Sequence, residues 1–119
     1  MVMPLNEKIE NCIVVGDVIG VISNKWTIFV IISLYNHSLR FNAIKRQVMG
    51  ISHQMLARTL KDLTHNGLVE RTVVDNNPPM VEYHLSALGY SLADALKPLA
   101  DWAKINQGKI LINRDRAEK

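Results

Sequence analysis

The stretch Gly50-Ile51-Ser52-His53-Gln54-Met55-Leu56-Ala57-Arg58-Thr59-Leu60-Lys61-Asp62-Leu63-Thr64-His65 decides how this chain folds. Ser52 is a good N-cap, because its hydroxyl can accept from a free backbone N–H two or three residues on. With residues set about 100° apart, Leu56, Leu60 and Leu63 fall on one face of the helix that follows. Gln54, Arg58, Lys61 and His65 fall on the opposite face, with His53 near its edge. The leucines need a core. The other face offers an amide, a guanidinium and an ammonium, the donors that a helix in a DNA major groove requires. Taken alone, the same pattern also fits an ordinary amphipathic helix with a solvated polar side.

The neighbouring residues distinguish the two. Upstream, Phe41, Ile44 and Val48 recur at helical spacing, and Met49-Gly50-Ile51 is a tight break, so two short helices meet across a turn. Downstream, Asn66-Gly67 suits a left-handed C-cap. Two strand-like runs, from about residue 68 to 74 and 80 to 85, flank the turn signal Asp75-Asn76-Asn77-Pro78-Pro79. A hairpin directly after the second helix of a helix-turn-helix is the layout of a wing.

Outside this motif the reading is coarser. Met1–Glu10 is either a loose arm or a first helical turn. A helix from about residue 12 to 22, capped by Asn11, competes with a strand because the segment is rich in β-branched residues. Trp26–Tyr35 is apolar nearly all round and reads as a buried helix started by Ser23-Asn24-Lys25. Ser86 caps a last helix over about residues 87–111, in which Pro98 should introduce a kink or a split. Its stripe of Leu88, Leu92, Leu96, Leu99 and Trp102 exceeds what one small domain can bury. Leu92, Leu96, Leu99 and Trp102 are therefore expected at an interface with a second copy.

Charge placement points the same way. The formal net charge is +3, but residues 1–36 sum to −1, residues 37–71 to +4 and residues 72–119 to zero. The excess surrounds the helix quoted above, along with His37, His53 and His65. A local basic patch predicts a polyanionic partner better than net charge does. With 119 residues and 48% hydrophobic content the chain is expected to form one globular domain, residues 1–119. Its single cysteine excludes an internal disulfide and a cysteine-based zinc site. No secretory signal pattern is present, and no apolar run approaches the about eighteen residues of a membrane span, so a cytoplasmic protein without membrane contact is expected. The histidines lack metal-ligand spacing. No nucleophile–base pair or glycine-rich phosphate loop is evident, so neither catalysis, a metal nor a cofactor is expected.

Several short stretches together resemble the HxlR-type winged helix-turn-helix transcriptional regulators, a MarR-like family. They are Lys25-Trp26, Arg40-Phe41, Gly50-Ile51-Ser52 with Met55-Leu56 and Leu60, Gly67-Leu68-Val69-Glu70-Arg71, and Pro79 with Val81-Glu82-Tyr83, Leu85 and Leu88-Gly89. Asn24 stands where the family often has Gly, and Ile13 where it often has Pro. The resemblance implies a homodimer on palindrome-like operator DNA, acting as repressor or activator. The fold class is then mainly α with a small β-hairpin (α+β): a helix-turn-helix over about residues 39–66, a wing over about 68–85, and N- and C-terminal dimerisation helices.

Expected base readers are Gln54 and Arg58, which can make bidentate contacts to A and G edges. Expected phosphate contacts are Ser52, His53 and Lys61 on the recognition helix, and Arg40 and Lys45 on the helix before it, where Arg46 is as readily a solvated charge. Arg71 and the Asn76-Asn77 tip can reach the minor groove or its phosphates, although Arg71 can equally pair with Glu82 across the hairpin. Cys12 is either a small buried residue or a thiol activated by a helix N-terminus. The resemblance favours sensing of an oxidant or small electrophile, since some relatives respond through a nearby cysteine. The rival function is a winged-helix protein-interaction module without DNA.

Overall fold

The computed structural model describes residues 5–118, although the side chains of residues 5–9 and of Asn76 fall outside the described set. Five helices and one hairpin follow in the order α1 (Leu5–Ile22), α2 (Lys25–Ser33), α3 (Phe41–Gln47), α4 (His53–His65), β1 (Val69–Asn76), β2 (Pro79–Leu85) and α5 (Ala87–Glu118). The architecture is the expected winged helix-turn-helix.

Local chemistry sets most boundaries. The Asn24 side chain accepts from Trp26 N at 2.8 Å and starts α2, and the Ser52 hydroxyl accepts from Met55 N at 3.1 Å and starts α4. Between α3 and α4 the chain reverses at Gly50, whose φ of +88° a side chain would oppose. The far end of α4 closes in a Schellman motif, with Leu68 N donating to Leu63 O and Gly67 N to Thr64 O, and with Gly67 at φ +75°. Ser86 joins this end to the next helix. Its hydroxyl donates to Gly67 O and accepts from Gly89 N at 3.0 Å.

The core is formed by Val30 and Ile31 of α2 with Leu34 at its C-cap, Ile44 of α3, Leu56, Leu60 and Leu63 of α4, Leu68, Val69 and Leu85 at the hairpin base, and Ala93 and Leu96 of α5. The leucine face of the recognition helix is therefore buried as expected. The hairpin pairs Arg71 with Tyr83 and Thr72 with Glu82. Side chains of opposed residues share a face, so Arg71 and Glu82 point to opposite sides of the wing and do not pair. Glu82 instead accepts from Ser38 Oγ at 3.0 Å. Beside it, Leu39 and Tyr83 exchange both backbone hydrogen bonds, at 2.9 and 2.8 Å, and this links the loop before α3 to the wing.

Four expectations need correction. The first helix starts at Leu5 rather than near residue 12, so Asn11 lies inside it and is not its N-cap. Leu39 and Arg40 precede α3, because Leu39 is engaged with Tyr83. The strands reach further than expected and narrow the loop to Asn77-Pro78, which is joined by a cis peptide bond. The last helix continues to Glu118 without interruption, so Pro98 does not split it.

The outer helices are the least covered. Residues Ile13, Val14 and Val18 of α1 are exposed, and α1 packs only sparsely on the rest of the chain. On α5, Leu99, Trp102 and Ile105 are exposed, whereas Leu96 is taken into the core and Leu92 packs against it. The radius of gyration is 17.8 Å; a compact chain of this length would have about 13–14 Å. Among the described residues no single helix is long and apolar enough to cross a membrane.

Candidate nucleic-acid interface

Burial of Leu56, Leu60 and Leu63 fixes the rotation of α4, which turns Gln54, Arg58, Lys61 and His65 outward, and all four are exposed. Helix geometry places Gln54, Arg58 and Lys61 along one strip. Ser52 and His53 stand at the exposed start of the helix. The His53 ring packs on Phe41 with centroids 4.7 Å apart, which ties the start of α4 to the start of α3. Ser52 is already engaged as the cap, so its hydroxyl helps to position the helix end.

The other candidates surround this strip. Arg40 is exposed at the start of α3 and lines, with Arg46 and Glu82, an open groove between α3 and the wing. Lys45 is exposed on α3. Arg71 lies on the opposite face of the hairpin from Glu82 and lines a second groove with Lys61, His65 and Tyr83. Asn77 is exposed at the tip of the hairpin, where its N–H is held by Asp75 Oδ1 at 3.3 Å, and the Asn76 side chain lies outside the described residues. The amphipathic count did not associate His65 with Arg71. They are brought together by the packing of β1 against α4, and the sequence pattern carries no signal for it.

The position of Cys12 departs from both readings of the sequence. It is exposed, so it is not a buried apolar residue. It also lies inside α1, which begins at Leu5, so the dipole of a helix N-terminus does not act on it. Among the described residues no group of His, Cys, Asp or Glu side chains could hold a metal ion.

Comparison with known proteins agrees with this geometry. The profile of the HxlR-like helix-turn-helix family matches residues 21–110, from the end of α1 well into α5. The uncharacterized HTH-type transcriptional regulator YtfH of Escherichia coli is 31% identical over 99 residues, covering 83% of this chain and 79% of that one. Among solved structures, the redox regulator HypR in its reduced form superposes with a TM-score of 0.75 at 29% identity, covering 81% of this chain and 95% of that one. The reduced form of the transcriptional regulator YodB from Bacillus subtilis superposes with a TM-score of 0.65 at 30% identity, covering 87% and 92%.

Proposed function

Because this chain belongs to the HxlR-like helix-turn-helix family of transcriptional regulators, we propose that it binds a palindrome-like operator as a homodimer, with α4 in the major groove and the hairpin as wing. The carrying observation is the outward strip Gln54, Arg58 and Lys61 on a helix whose rotation is locked by buried leucines. Gln54 and Arg58 read base edges. Lys61, His53, Arg40, Lys45, Arg71 and the hairpin tip hold phosphates or the minor groove, which orients the protein without reading sequence. The dimer forms through α1 and the distal part of α5. Support comes from their exposed apolar residues, Val14 and Val18 on one and Leu99 and Trp102 on the other. Two recognition helices related by a two-fold then enter grooves about 34–36 Å apart. A protein of this kind acts in the cytoplasm.

Selection of bound duplexes from a random pool tests this reading. The expected result is a two-fold-symmetric sequence bound with steep salt dependence, because phosphate contacts release counterions. Binding that ignores salt, or no binding, favours a protein-interaction module.

A second reading concerns control by oxidants. The solved relatives HypR and YodB include a named redox regulator, and Cys12 is an exposed thiol on the sparsely packed α1. With one cysteine per chain, an oxidant such as diamide gives an intersubunit or mixed disulfide, and an electrophile such as a quinone gives a thiol adduct. Each would shift the dimer between arrangements that differ in DNA affinity. Treatment with diamide or a quinone should weaken operator binding by the native protein and leave Cys12→Ser unaffected. Equal behaviour of the two proteins rules Cys12 out as the sensor.

A further inference from the structure

The flank of α4 that faces the wing forms one side of an open trough. Its floor is apolar, from Phe41, Leu60 and Tyr83, and its rim carries Lys61, His65 and Arg71, with Asp62 as the single carboxylate. Lys61 and His65 come from successive turns of α4, and Arg71 comes from β1, opposite Tyr83 in the ladder. Among the described residues Glu70 is engaged by His84 at 2.8 Å, whereas Lys61, His65 and Arg71 have no hydrogen-bonded or charged partner. Three unpaired nitrogen donors therefore surround a surface from which aromatic rings and a leucine displace water.

We propose that Lys61, His65 and Arg71 converge on one backbone phosphate of bound DNA, so that the trough between α4 and the wing is a phosphate seat. The proposal rests on the DNA-binding reading given above. A phosphodiester presents two unesterified oxygens. The planar guanidinium can take both at once, the ammonium supplies a point charge, and the imidazole N–H adds one donor. The apolar floor lowers the local dielectric and strengthens each attraction. Lys61 and His65 share the outward side of α4 with Gln54 and Arg58, so a duplex read by those two residues brings its backbone past the trough. Asp62 opposes the charge of the seat and moderates its strength.

Fluorescence anisotropy with the full chain and a duplex selected from the random pool tests this. One phosphate contact contributes about 0.9 to the slope of log affinity against log salt. On a dimer with one seat in each half-site, Lys61→Ala and Arg71→Ala should each flatten the slope by no more than about 1.8, and the double variant also by about 1.8 rather than twice that, because both act on the same phosphate of each half-site. Arg71→Lys should retain most of the slope, and Asp62→Asn should tighten binding. A duplex carrying one neutral methylphosphonate at the seated position should bind the native protein several-fold more weakly, with Arg71→Ala indifferent to the change. Since all these side chains are exposed, unaltered thermal unfolding midpoints confirm intact variants. Steep salt dependence in the native protein with unchanged slopes in the variants overturns the seat and leaves DNA binding standing. Additive slopes overturn the single phosphate. Inorganic phosphate that competes beyond chloride at equal ionic strength, with methylphosphonates having no effect, assigns the trough to a free anion. Absence of any salt-dependent duplex binding overturns both proposals.

Discussion

Arg58 is the residue whose side chain should matter most for sequence choice. It extends from an exposed position in the middle of the strip on α4, and a bidentate contact to guanine is worth about 1–3 kcal/mol at one base position. Arg58→Ala should therefore weaken the selected operator and flatten preference at a single base pair, as read by competition with duplexes substituted one position at a time. Equal loss across all positions would make Arg58 a phosphate contact. Ser86 is a structural counterpart. Its hydroxyl serves both the end of α4 and the start of α5, so Ser86→Ala should cost about 1 kcal/mol in chemical denaturation. At this scale the sequence was legible wherever a side chain acts through its own helix. The Ser52 cap and the outward Gln54 follow from spacing alone. The environment of Cys12 does not, because it depends on where α1 begins, and residues 5–9 carry no capping signal strong enough to mark that start.

Elements are fixed by where they touch, and Gly89 marks the closest approach. A Cβ at this position would run into the Leu68 carbonyl oxygen and crowd the Leu85 side chain. The first turn of α5 can lie against the hairpin base only because that atom is missing. Gly89→Ala should cost about 1–3 kcal/mol, the usual range for overpacking a tight site, and a lowered unfolding midpoint at unchanged helix content checks it. Leu56→Ala, which empties a fully buried position next to the outward strip, should cost about 2–5 kcal/mol. Element types were legible because α3 and α4 show a 3.6-residue period and the turn residues are strong. Element ends were less so. Leu39 looks helical by pattern but is claimed by Tyr83, a partner more than forty residues away. The last helix outruns its apolar stripe, because polar residues of good helix propensity carry it on to Glu118.

On the scale of the whole molecule the extended shape is the main observation. A chain with a radius of gyration of 17.8 Å leaves two helices largely outside its own core. Trp102 is exposed on α5 and contributes nothing to the buried core. Trp102→Asp should shift the protein toward monomer in sedimentation velocity, and operator affinity should fall with it, while the helix-turn-helix remains folded. An unchanged sedimentation coefficient would place the dimer contact elsewhere. Which apolar residues of α5 stay exposed was only partly legible, because the stripe does not tell which leucines its own domain buries first. Leu96 is used there, and Leu99 is not.

The two backbone bonds between Leu39 and Tyr83 have a thermodynamic consequence. They anchor the base of the hairpin to the loop before α3, so the wing arrives at DNA already oriented. Little conformational entropy then has to be lost on binding. The entropy penalty of complex formation should be small for a two-part reader, and the amides of Leu39 and Tyr83 should exchange with solvent more slowly than those near Asn77, in the free protein as in the bound one.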